Sequence, residues 1–464
     1  MRLLIDGAMV WNGTGAPPFP GKVLVEGERI ISVAPQSETL AADGADRIDA
    51  AGKFLMPGMV EGHAHLSFVD TPRGTALGEL PPEDHALLTM DAARKLLAAG
   101  FTSACSAAAA KIRLDVAVRD AIDQGMIDGP RLLAASPELT VTGGLGDGRK
   151  LHLHQDSFGI AVDGPDEVRR MARLCLREGV DTIKLNISGD AGTESAPSEA
   201  AVMTDAEVSA GVEAAHTIGR RVAAHARASA AVKRALRHGV DVIYHCDYAD
   251  EEALDLLEAA KDRIFTGPAV GLVLARLETL RGDNTPHGRL YLERLKPLYE
   301  ATCRTHNEMR KRGIRIVVGG DYGFAATPQG TNARDLEYFV THFGFSPSAA
   351  LQAATRTGGE IMLRGHELGL VKEGYLADLL LVDGDPLKDI RMLQDNRCFA
   401  FIMKGAACAT CPAKGLHTSG AYIDGSLRQH AAHEDIRDWL PSRSECHPIR
   451  GTGWLRHSLL WSRA

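Results

Sequence analysis

Two histidines two residues apart are the feature of this chain that points most directly to chemistry. His63 and His65 follow a short apolar run that predicts a β-strand. Because side chains alternate across a strand, residues i and i+2 point to the same face, and both imidazoles can aim at one point. Imidazole is the commonest protein ligand for zinc and related metals. The pattern is weak by itself, since two polar residues on a solvated strand face would look the same.

Four further residues with metal-binding or acid–base chemistry stand in or after later apolar runs: Lys184, His225, His245 and Asp321. Burial lowers the pKa of a lysine, and the free amine can react with CO₂ to give an anionic carbamate. A carboxylate beside a metal-bound water is a good general base. Taken singly, these could be an edge-strand lysine, two core histidines and a turn-capping aspartate. Their equivalent placement favours a metal centre.

The elements that must position these residues alternate between strand and helix. Apolar runs occur before His63 and at seven later places, and helical patterns such as 205–219 and 230–238 lie between most of them. The seven runs are 101–104, 132–135, 182–187, 221–226, 240–246, 263–266 and 314–319. This order predicts an α/β fold, a (β/α)₈ TIM-like barrel, whose active sites lie at the carboxyl ends of the strands. A doubly wound open sheet is the structural alternative.

The two ends of the chain predict a second, smaller domain. Residues 1–56 and 367–412 carry short apolar runs separated by Gly, Pro and Asp, which indicates a small β-sandwich built from both ends. Residues 57–366 would form the barrel. Residues 413–464 hold three of the four tryptophans and lack clear periodicity. We interpret them as a C-terminal extension that contacts another subunit, with a largely disordered extension as the alternative.

Composition excludes several classes of function. The 464 residues have a net charge of −8, which argues against nucleic-acid binding. No apolar run approaches the roughly 18–20 residues of a membrane helix, and the N-terminus lacks the pattern of a secretory signal. The eight cysteines are scattered, as expected for reduced thiols. We therefore expect a cytoplasmic protein with no membrane partner.

Several longer motifs, spread over residues 1 to about 405, resemble one known family. They are Pro57-Gly58 before His63 and His65, Gly179-Val180-Asp181-Thr182-Ile183-Lys184, Ala224-His225-Ala226, Gly239-Val240-Asp241 before His245, Gly320-Asp321, Asn332-Ala333-Arg334-Asp335-Leu336-Glu337, and the segment from Gly374 to Leu387. With them the chain resembles the amidohydrolase superfamily of metal-dependent hydrolases, and closely its imidazolonepropionase- and prolidase-like branch.

The resemblance implies two divalent metal ions, with zinc first and cobalt or manganese as alternatives. His63, His65 and Asp321 would hold one metal, and His225 and His245 the other, with carboxylated Lys184 as the bridge. Hydroxide held between the metals would attack a carbonyl carbon, and Asp321 would carry its proton to the leaving group. The family also implies a homo-oligomer.

The chain departs from this family where relatives hold the substrate. Relatives often carry a further histidine where this chain has Arg227, an Arg-Asp pair where it has residues 103–106, and a histidine where it has Leu145. Losing polar anchors predicts a fairly neutral small-molecule substrate with an amide, carbamate or urea-type C–N bond, or a C–S bond. Hydrolases of phenylureas or thiocarbamates are the fitting comparison.

Other functions stay open on the same residues. An Xaa-Pro or N-acyl amino acid dipeptidase-like hydrolase, a deaminase and an imidazolone-type cyclic amidohydrolase would need only a different pocket. A non-catalytic scaffold is the distant alternative, and it should have lost metal ligands. Four residues are candidates for substrate contacts: His152, His154, Arg227 and Tyr248.

Overall fold

The strands of this protein fall into one sheet made by the chain ends and two parallel sheets made by the middle. The computed structural model describes residues 2–153, 155–405 and 407–410. They belong to the unit Met1–Thr418, while a second unit, Ser419–Ala464, lies outside the described residues. The strands are β1 (Arg2–Val10), β2 (Phe19–Glu26), β3 (Arg29–Pro35), β4 (Asp46–Asp49), β5 (Phe54–Pro57), β6 (Met59–Ala64), β7 (Phe101–Ser106), β8 (Arg131–Leu133), β9 (Ala135–Thr140), β10 (Gly159–Ala161), β11 (Thr182–Asn186), β12 (Arg221–Ala228), β13 (Val242–Tyr248), β14 (Phe265–Gly267), β15 (Leu379–Val382), β16 (Phe399–Lys404) and β17 (Ala407–Thr410).

Helices lie mainly between the strands of the middle part. They are α1 (Ala76–Glu79), α2 (Pro82–Ala98), α3 (Leu114–Asp123), α4 (Pro165–Arg177), α5 (Asp205–His216), α6 (Ser229–His238), α7 (Glu251–Ala259), α8 (Val270–Thr279), α9 (Pro286–Lys311), α10 (Arg334–Thr341), α11 (Pro347–Ala354) and α12 (Arg356–Ile361). Short 3₁₀ helices occur at Leu66–Phe68, Ile390–Gln394 and Asn396–Cys398. Among the residues that the structure describes, no helix combines the length and the apolar character that a membrane span requires.

Both ends of the chain contribute to one eight-stranded sheet. Its order is β17-β16-β15-β5-β1-β2-β3, and β4 pairs with β1. The pairing of β15 with β5 joins the two chain ends, and Leu3, Ile5 and Leu381 share one buried apolar cluster there. The sequence predicts a two-layered sandwich at this place, whereas hydrogen bonds link the eight strands into a single mixed sheet.

The middle of the chain forms a six-stranded sheet, β10-β9-β11-β12-β13-β14, and a three-stranded sheet, β6-β7-β8. All neighbouring strands in both sheets run parallel. Because parallel strands end at the same edge, the residues that follow β6, β11, β12 and β13 are brought toward one region. The fold is therefore mixed α/β with parallel sheets, as the strand–helix alternation predicts.

Two features connect these parallel sheets. Only Ala134 separates β8 of the smaller sheet from β9 of the larger one. On the other side, the segment 314–319 bridges β14 and β6: the Val317 amide donates to the Thr266 carbonyl at 2.8 Å, and the Gly62 amide donates to the Val318 carbonyl at 2.8 Å. The sequence predicts a strand in this segment, but among the described residues it makes a single isolated bridge, between Thr266 and Ile316.

Local sequence explains the helix that follows β11. Thr204 caps α5, accepting a hydrogen bond from the Glu207 amide, while the Glu207 side chain accepts one from the Thr204 amide. This reciprocal capping box satisfies two backbone donors that the first turn leaves open. The sequence predicts a helix over 205–219, and the structure confirms it with an end at His216.

Candidate active site

Three predicted ligands converge at the end of β6. His63 lies on β6, His65 directly follows that strand, and Asp321 follows the segment 314–319. One ligand atom from each lies within 4.8 Å of the other two, and all three residues are buried. The Nε2 atom of His65 is 3.0 Å from Oδ1 of Asp321, and Nε2 of His63 is 3.9 Å from the same oxygen.

The second pair of predicted ligands lies beside this group. His225 is on β12 and His245 on the neighbouring β13, and their ring centroids are 4.2 Å apart. The His245 ring is also 5.4 Å from the His63 ring, which joins the pair to the first group. Lys184 on β11 lines the same cavity and is almost completely buried. The structure thus brings together all six residues that the sequence predicts as ligands.

Hydrogen bonds orient two of the imidazoles so that one nitrogen of each stays available. The Nδ1 atom of His65 is 3.1 Å from the Ala108 carbonyl, and Nε2 of His225 is 3.0 Å from the Gly189 carbonyl. A carbonyl can only accept, so these two nitrogens carry the hydrogens. The other nitrogen of His225, Nδ1, keeps its lone pair, and Nε2 of His65 faces Asp321. Metal-binding histidines typically donate their second nitrogen to a carbonyl or carboxylate in this way.

Two other imidazole nitrogens have no partner in the part of the chain that the structure describes. They are the buried Nδ1 atoms of His63 and His245. Leaving buried polar atoms unsatisfied is costly, so a cluster of them calls for an explanation such as a bound ion or water. With four imidazoles, a carboxylate and a lysine facing one space, the donor set fits two divalent transition-metal ions.

Electrostatics keep the imidazoles in the form that binds metal. Burial lowers the pKa of His63 and of His245 well below the ordinary value, and burial together with Arg227 lowers the pKa of His225 to about 3. Burial alone would raise the pKa of Asp321, but His63 and His65 bring it below its ordinary value. Near neutral pH the imidazoles of His63, His225 and His245 are therefore neutral, and the Asp321 carboxylate is ionised.

The Lys184 side chain is the one buried amine of the site. Burial lowers the pKa of its ammonium, while Glu138 and Asp321 oppose that shift. The Nζ atom lies 4.7 Å from the centre of the Tyr244 ring, whose hydroxyl donates to the Gly62 carbonyl at 2.7 Å. A buried amine with a lowered pKa is the form that can become a carbamate.

Backbone strain concentrates at the same residues. His245, Cys246 and Asp321 have φ angles of 75°, 57° and 64°, in the left-handed region that residues with a Cβ avoid. A Cβ on Gly319 would lie 2.6 Å from the His63 amide nitrogen, so only glycine allows the segment before Asp321 to approach β6 this closely. Strain at sites of chemistry persists because the surrounding packing enforces it.

The ligand cluster opens into a cavity of about 750 Å³. One wall is aromatic: Phe68 lies 5.5 Å from Phe158 and 5.4 Å from Phe324 between ring centroids, and it stacks on His65. Other parts of the wall come from the β9–β10 connection around Leu145, the connection after β11 that contains Asp190, and helices α8 and α9. A cavity of this size suits a small molecule with an apolar body.

Glu138 is a cavity residue that sequence reasoning missed. It lies on β9, is buried, and accepts a hydrogen bond from the Asn186 side-chain nitrogen at 2.7 Å. Burial raises the pKa of its carboxyl, and Lys184 opposes the shift. A signal was present, since a carboxylate inside a buried strand is as unusual as the lysine at Lys184.

The predicted substrate contacts are placed differently from the predicted ligands. His152 is exposed and is not among the residues that line the cavity, because the β9–β10 connection turns outward after Lys150. Tyr248 ends β13 outside the lining, where burial and the nearby Glu199 raise its pKa. His154 lies outside the described residues.

Arg227, the fourth predicted contact, is turned away from the cavity into a buried ion network. Its Nε atom is 2.7 Å from Oδ2 of Asp190, and a terminal nitrogen is 2.6 Å from Oδ2 of Asp247. Thr302 donates a further hydrogen bond to Asp247 at 2.6 Å. Since two carboxylates neutralise the guanidinium, it has little capacity to bind a substrate anion; instead it holds Asp190 next to the Gly189 carbonyl that orients His225.

The family of the chain follows from comparison with known proteins. The model of the amidohydrolase family matches residues 54–415, which include all six convergent residues. The chain belongs to the amidohydrolase family. It is an enzyme, a hydrolase that acts on C–N bonds.

Individual relatives agree with this assignment. The chain is 26% identical to ochratoxinase of Aspergillus niger over 381 residues, which cover 78% of this chain and 76% of that protein. It is 26% identical to imidazolonepropionase of Acidiphilium cryptum over 401 residues, covering 81% and 92% of the two chains. A crystal structure of an Xaa-Pro dipeptidase with bound methionine superposes with a TM-score of 0.78 at 26% identity, covering 88% of this chain and 99% of that one.

Proposed function

We propose that the protein is a binuclear metal-dependent hydrolase that cleaves an amide, carbamate or urea-type C–N bond of a small molecule. The convergence of six ligand-type side chains in one buried cavity is the observation that carries the proposal. His63, His65 and Asp321 would hold one ion, His225 and His245 the other, and Lys184, as a carbamate, would bridge them. Zinc is our first choice of metal, ahead of cobalt and manganese.

The proposed fold is a closed (β/α)₈ barrel. The single residue between β8 and β9 and the bridges of segment 314–319 to β14 and β6 support closure, because they link the two parallel sheets at both sides. In such a barrel the six side chains stand at the carboxyl ends of the strands, where barrel enzymes carry their active sites.

The chemistry divides between the metals and the protein. When bound, two divalent ions would supply Lewis acidity that lowers the pKa of water toward neutral and polarises a carbonyl. Asp321, ionised and next to His65, takes the proton and delivers it to the leaving nitrogen. Phe68, Phe158 and Phe324 would orient the apolar body of the substrate.

Two substrate classes differ in charge. The apolar lining, with Leu145 at a position where relatives often carry histidine, supports the predicted neutral amides, carbamates and ureas. Arg276 on α8 also lines the cavity, and this cation favours the alternative class of N-acyl amino acids and Xaa-Pro dipeptides, which carry a carboxylate. Deamination or imidazolone-type ring opening would use the same cluster.

The test combines metal analysis with hydrolysis. Protein purified without chelators should contain about two transition-metal ions per chain and should hydrolyse members of a panel of N-acyl amino acids, Xaa-Pro dipeptides, carbamates, thiocarbamates and phenylureas. Protein that holds no such metal and gains no activity from added zinc or cobalt would refute the proposal. The same preparation, run on a sizing column with light scattering, tests the expected homo-oligomer.

A further inference from the structure

The cavity has chemically different sides. The aromatic wall of Phe68, Phe158 and Phe324 lies on the side of β6 and Asp321. Arg276 and Tyr291 line another part of the cavity, contributed by α8 and α9. Burial raises the pKa of the Tyr291 hydroxyl to about 12, and Arg276 opposes that shift, which places the two groups within electrostatic reach of each other.

Most cations near the cavity are already neutralised or lie in solvent. Arg227 is paired with the partly buried Asp190 and the buried Asp247, and Arg149 is paired with Asp147 at 2.7 Å. Arg73 is largely exposed and lies 3.8 Å from Glu79, while Lys150 is exposed at the rim. Lys184 belongs to the proposed metal bridge.

Arg276 differs from these cations. Its side chain is half-buried, and its guanidinium makes no hydrogen bond or ion pair with the residues that the structure describes. A guanidinium turned toward a cavity without a partner is a ready site for a carboxylate, because its fork of N–H donors matches the two oxygens of that group.

The start of α8 fixes how far Arg276 lies from the reacting groups. The Leu272 amide donates to the Gly320 carbonyl at 2.8 Å, directly before Asp321. Arg276 stands one helical turn later on the same face, and both residues line the cavity. A turn rises about 5–6 Å, which is comparable with the length of a small amide, and both Arg276 and Asp321 line the one cavity.

We propose that Arg276 is the anion-binding residue of the cavity and selects amide substrates that carry a carboxylate on the leaving amine. The carboxylate would bind the guanidinium while the acyl group packs against Phe68, Phe158 and Phe324. This site is separate from the positions where relatives hold such groups, which are Leu145, Arg227 and residues 103–106 in this chain. The inference rests on the proposed function.

The test uses two substrates that differ only in the carboxylate: N-benzoyl-L-leucine and N-(3-methylbutyl)benzamide. In the zinc-loaded protein, Arg276→Gln should lower kcat/KM for the acid by about 10- to 100-fold, mainly through KM, since a hydrogen-bonded ion pair is lost. The neutral amide should change less than about 3-fold. Arg276→Lys should recover part of the loss because it keeps the charge without the fork.

Arg281→Gln is the matched control, since this exposed arginine follows the same helix and is not among the cavity-lining residues. It should leave both substrates unaffected. If Arg276→Gln slows hydrolysis of both substrates equally, or of neither, the proposed role of Arg276 is wrong. The proposed hydrolase function is unaffected by that result.

Failure of the proposed function gives a different result. If the zinc-loaded wild type hydrolyses neither compound, calorimetric titration of both into the same protein still tests Arg276. If Arg276 binds the carboxylate, the wild type should bind the acid more tightly than the neutral amide. The Arg276→Gln variant should lose this difference in affinity. Equal binding of acid and neutral amide by the wild type overturns the proposed role of Arg276.

Discussion

The two halves of the proposed metal centre are oriented by different means. His63, His65 and Asp321 contact one another directly, and a backbone carbonyl orients His65. His225 and His245 instead lie beside Arg227, whose guanidinium bridges Asp190 and Asp247. A backbone carbonyl orients one histidine of each half, His65 and His225, and the second half in addition lies beside the ion network in which Arg227 bridges two aspartates. We therefore expect the second half to be the more sensitive to a charge change away from the ligands.

The largest effect should come from the residue that joins the two halves. Replacing Lys184 with alanine removes the proposed bridge, so both metals should be lost and activity should fall below detection. Metal content by mass spectrometry and hydrolysis rates measure this. A Lys184→Ala variant that keeps both metals and full activity would show that the halves assemble independently of Lys184.

A substitution of Asp321 should distinguish its role as a metal ligand from its role in proton transfer. Asp321→Asn keeps the size of the side chain and one ligand oxygen but removes the base, so kcat should fall by roughly 10²–10⁴-fold. Metal analysis of the same variant supplies the control, because most of the metal should remain. Unchanged kcat in a metal-replete variant would exclude Asp321 as the proton carrier.

Arg227 tests whether buried charge holds the second half. Arg227→Met leaves the buried Asp247 and the partly buried Asp190 without their shared cation, which should destabilise the protein by about 3–5 kcal/mol. Metal affinity at the His225 side should fall by about 10- to 100-fold, because the oriented Gly189 carbonyl loses its support. Denaturant unfolding and metal titration report these two quantities.

The control for this charge change is Arg220→Met. Arg220 pairs with Asp181 at 2.7 Å but is 46% exposed, so its loss should cost less than about 1 kcal/mol and leave metal binding unaltered. Equal effects of the two substitutions would mean that Arg227 acts only as ordinary packing.

A smaller effect is expected from the buried carboxyl group of Asp335. Burial raises the pKa of Asp335 to about 7, and its Oδ2 atom has no hydrogen-bond partner among the described residues. The folded state therefore retains a proton that the unfolded state, with an ordinary pKa near 4, has already released. This contribution to stability is complete below pH 4 and is lost as pH rises to about 7.

Asp335→Asn should remove that dependence. The melting temperature of the variant relative to wild type should be higher at pH 8 than at pH 5, by a few degrees, as measured by calorimetry at fixed zinc concentration. Tyr322, which donates to Asp335 at 3.2 Å, can donate equally to the amide. A difference that is independent of pH would mean that Asp335 is ionised throughout this range.

The sequence predicts the six ligand-type residues because their chemistry is unusual where they stand. Histidines, a lysine and an aspartate in or after apolar runs are recognisable without coordinates, and the strand–helix alternation indicates that such positions meet. The capping box of Thr204 and Glu207 is similarly local, which explains why the start of α5 could be predicted to the residue.

Residues whose role depends on distant partners could not be predicted. Arg227 looks like a substrate contact from the sequence, because Asp190 and Asp247 lie 37 and 20 residues away and only folding brings them to its guanidinium. Glu138 and Arg276 acquire their importance in the same way, through the strand and helix that bring them to the cavity.

The sequence by itself indicated the family, the alternation of elements and the six ligand-type residues, since residue type and local pattern suffice for these. The tertiary structure decided which cations are neutralised and which face the cavity, and where the sequence predicts a strand at 314–319 it forms one isolated bridge, between Thr266 and Ile316. The physical reason is that charge pairing and solvent exclusion depend on distances between side chains far apart in the chain, and these distances exist only once the sheets and helices have packed.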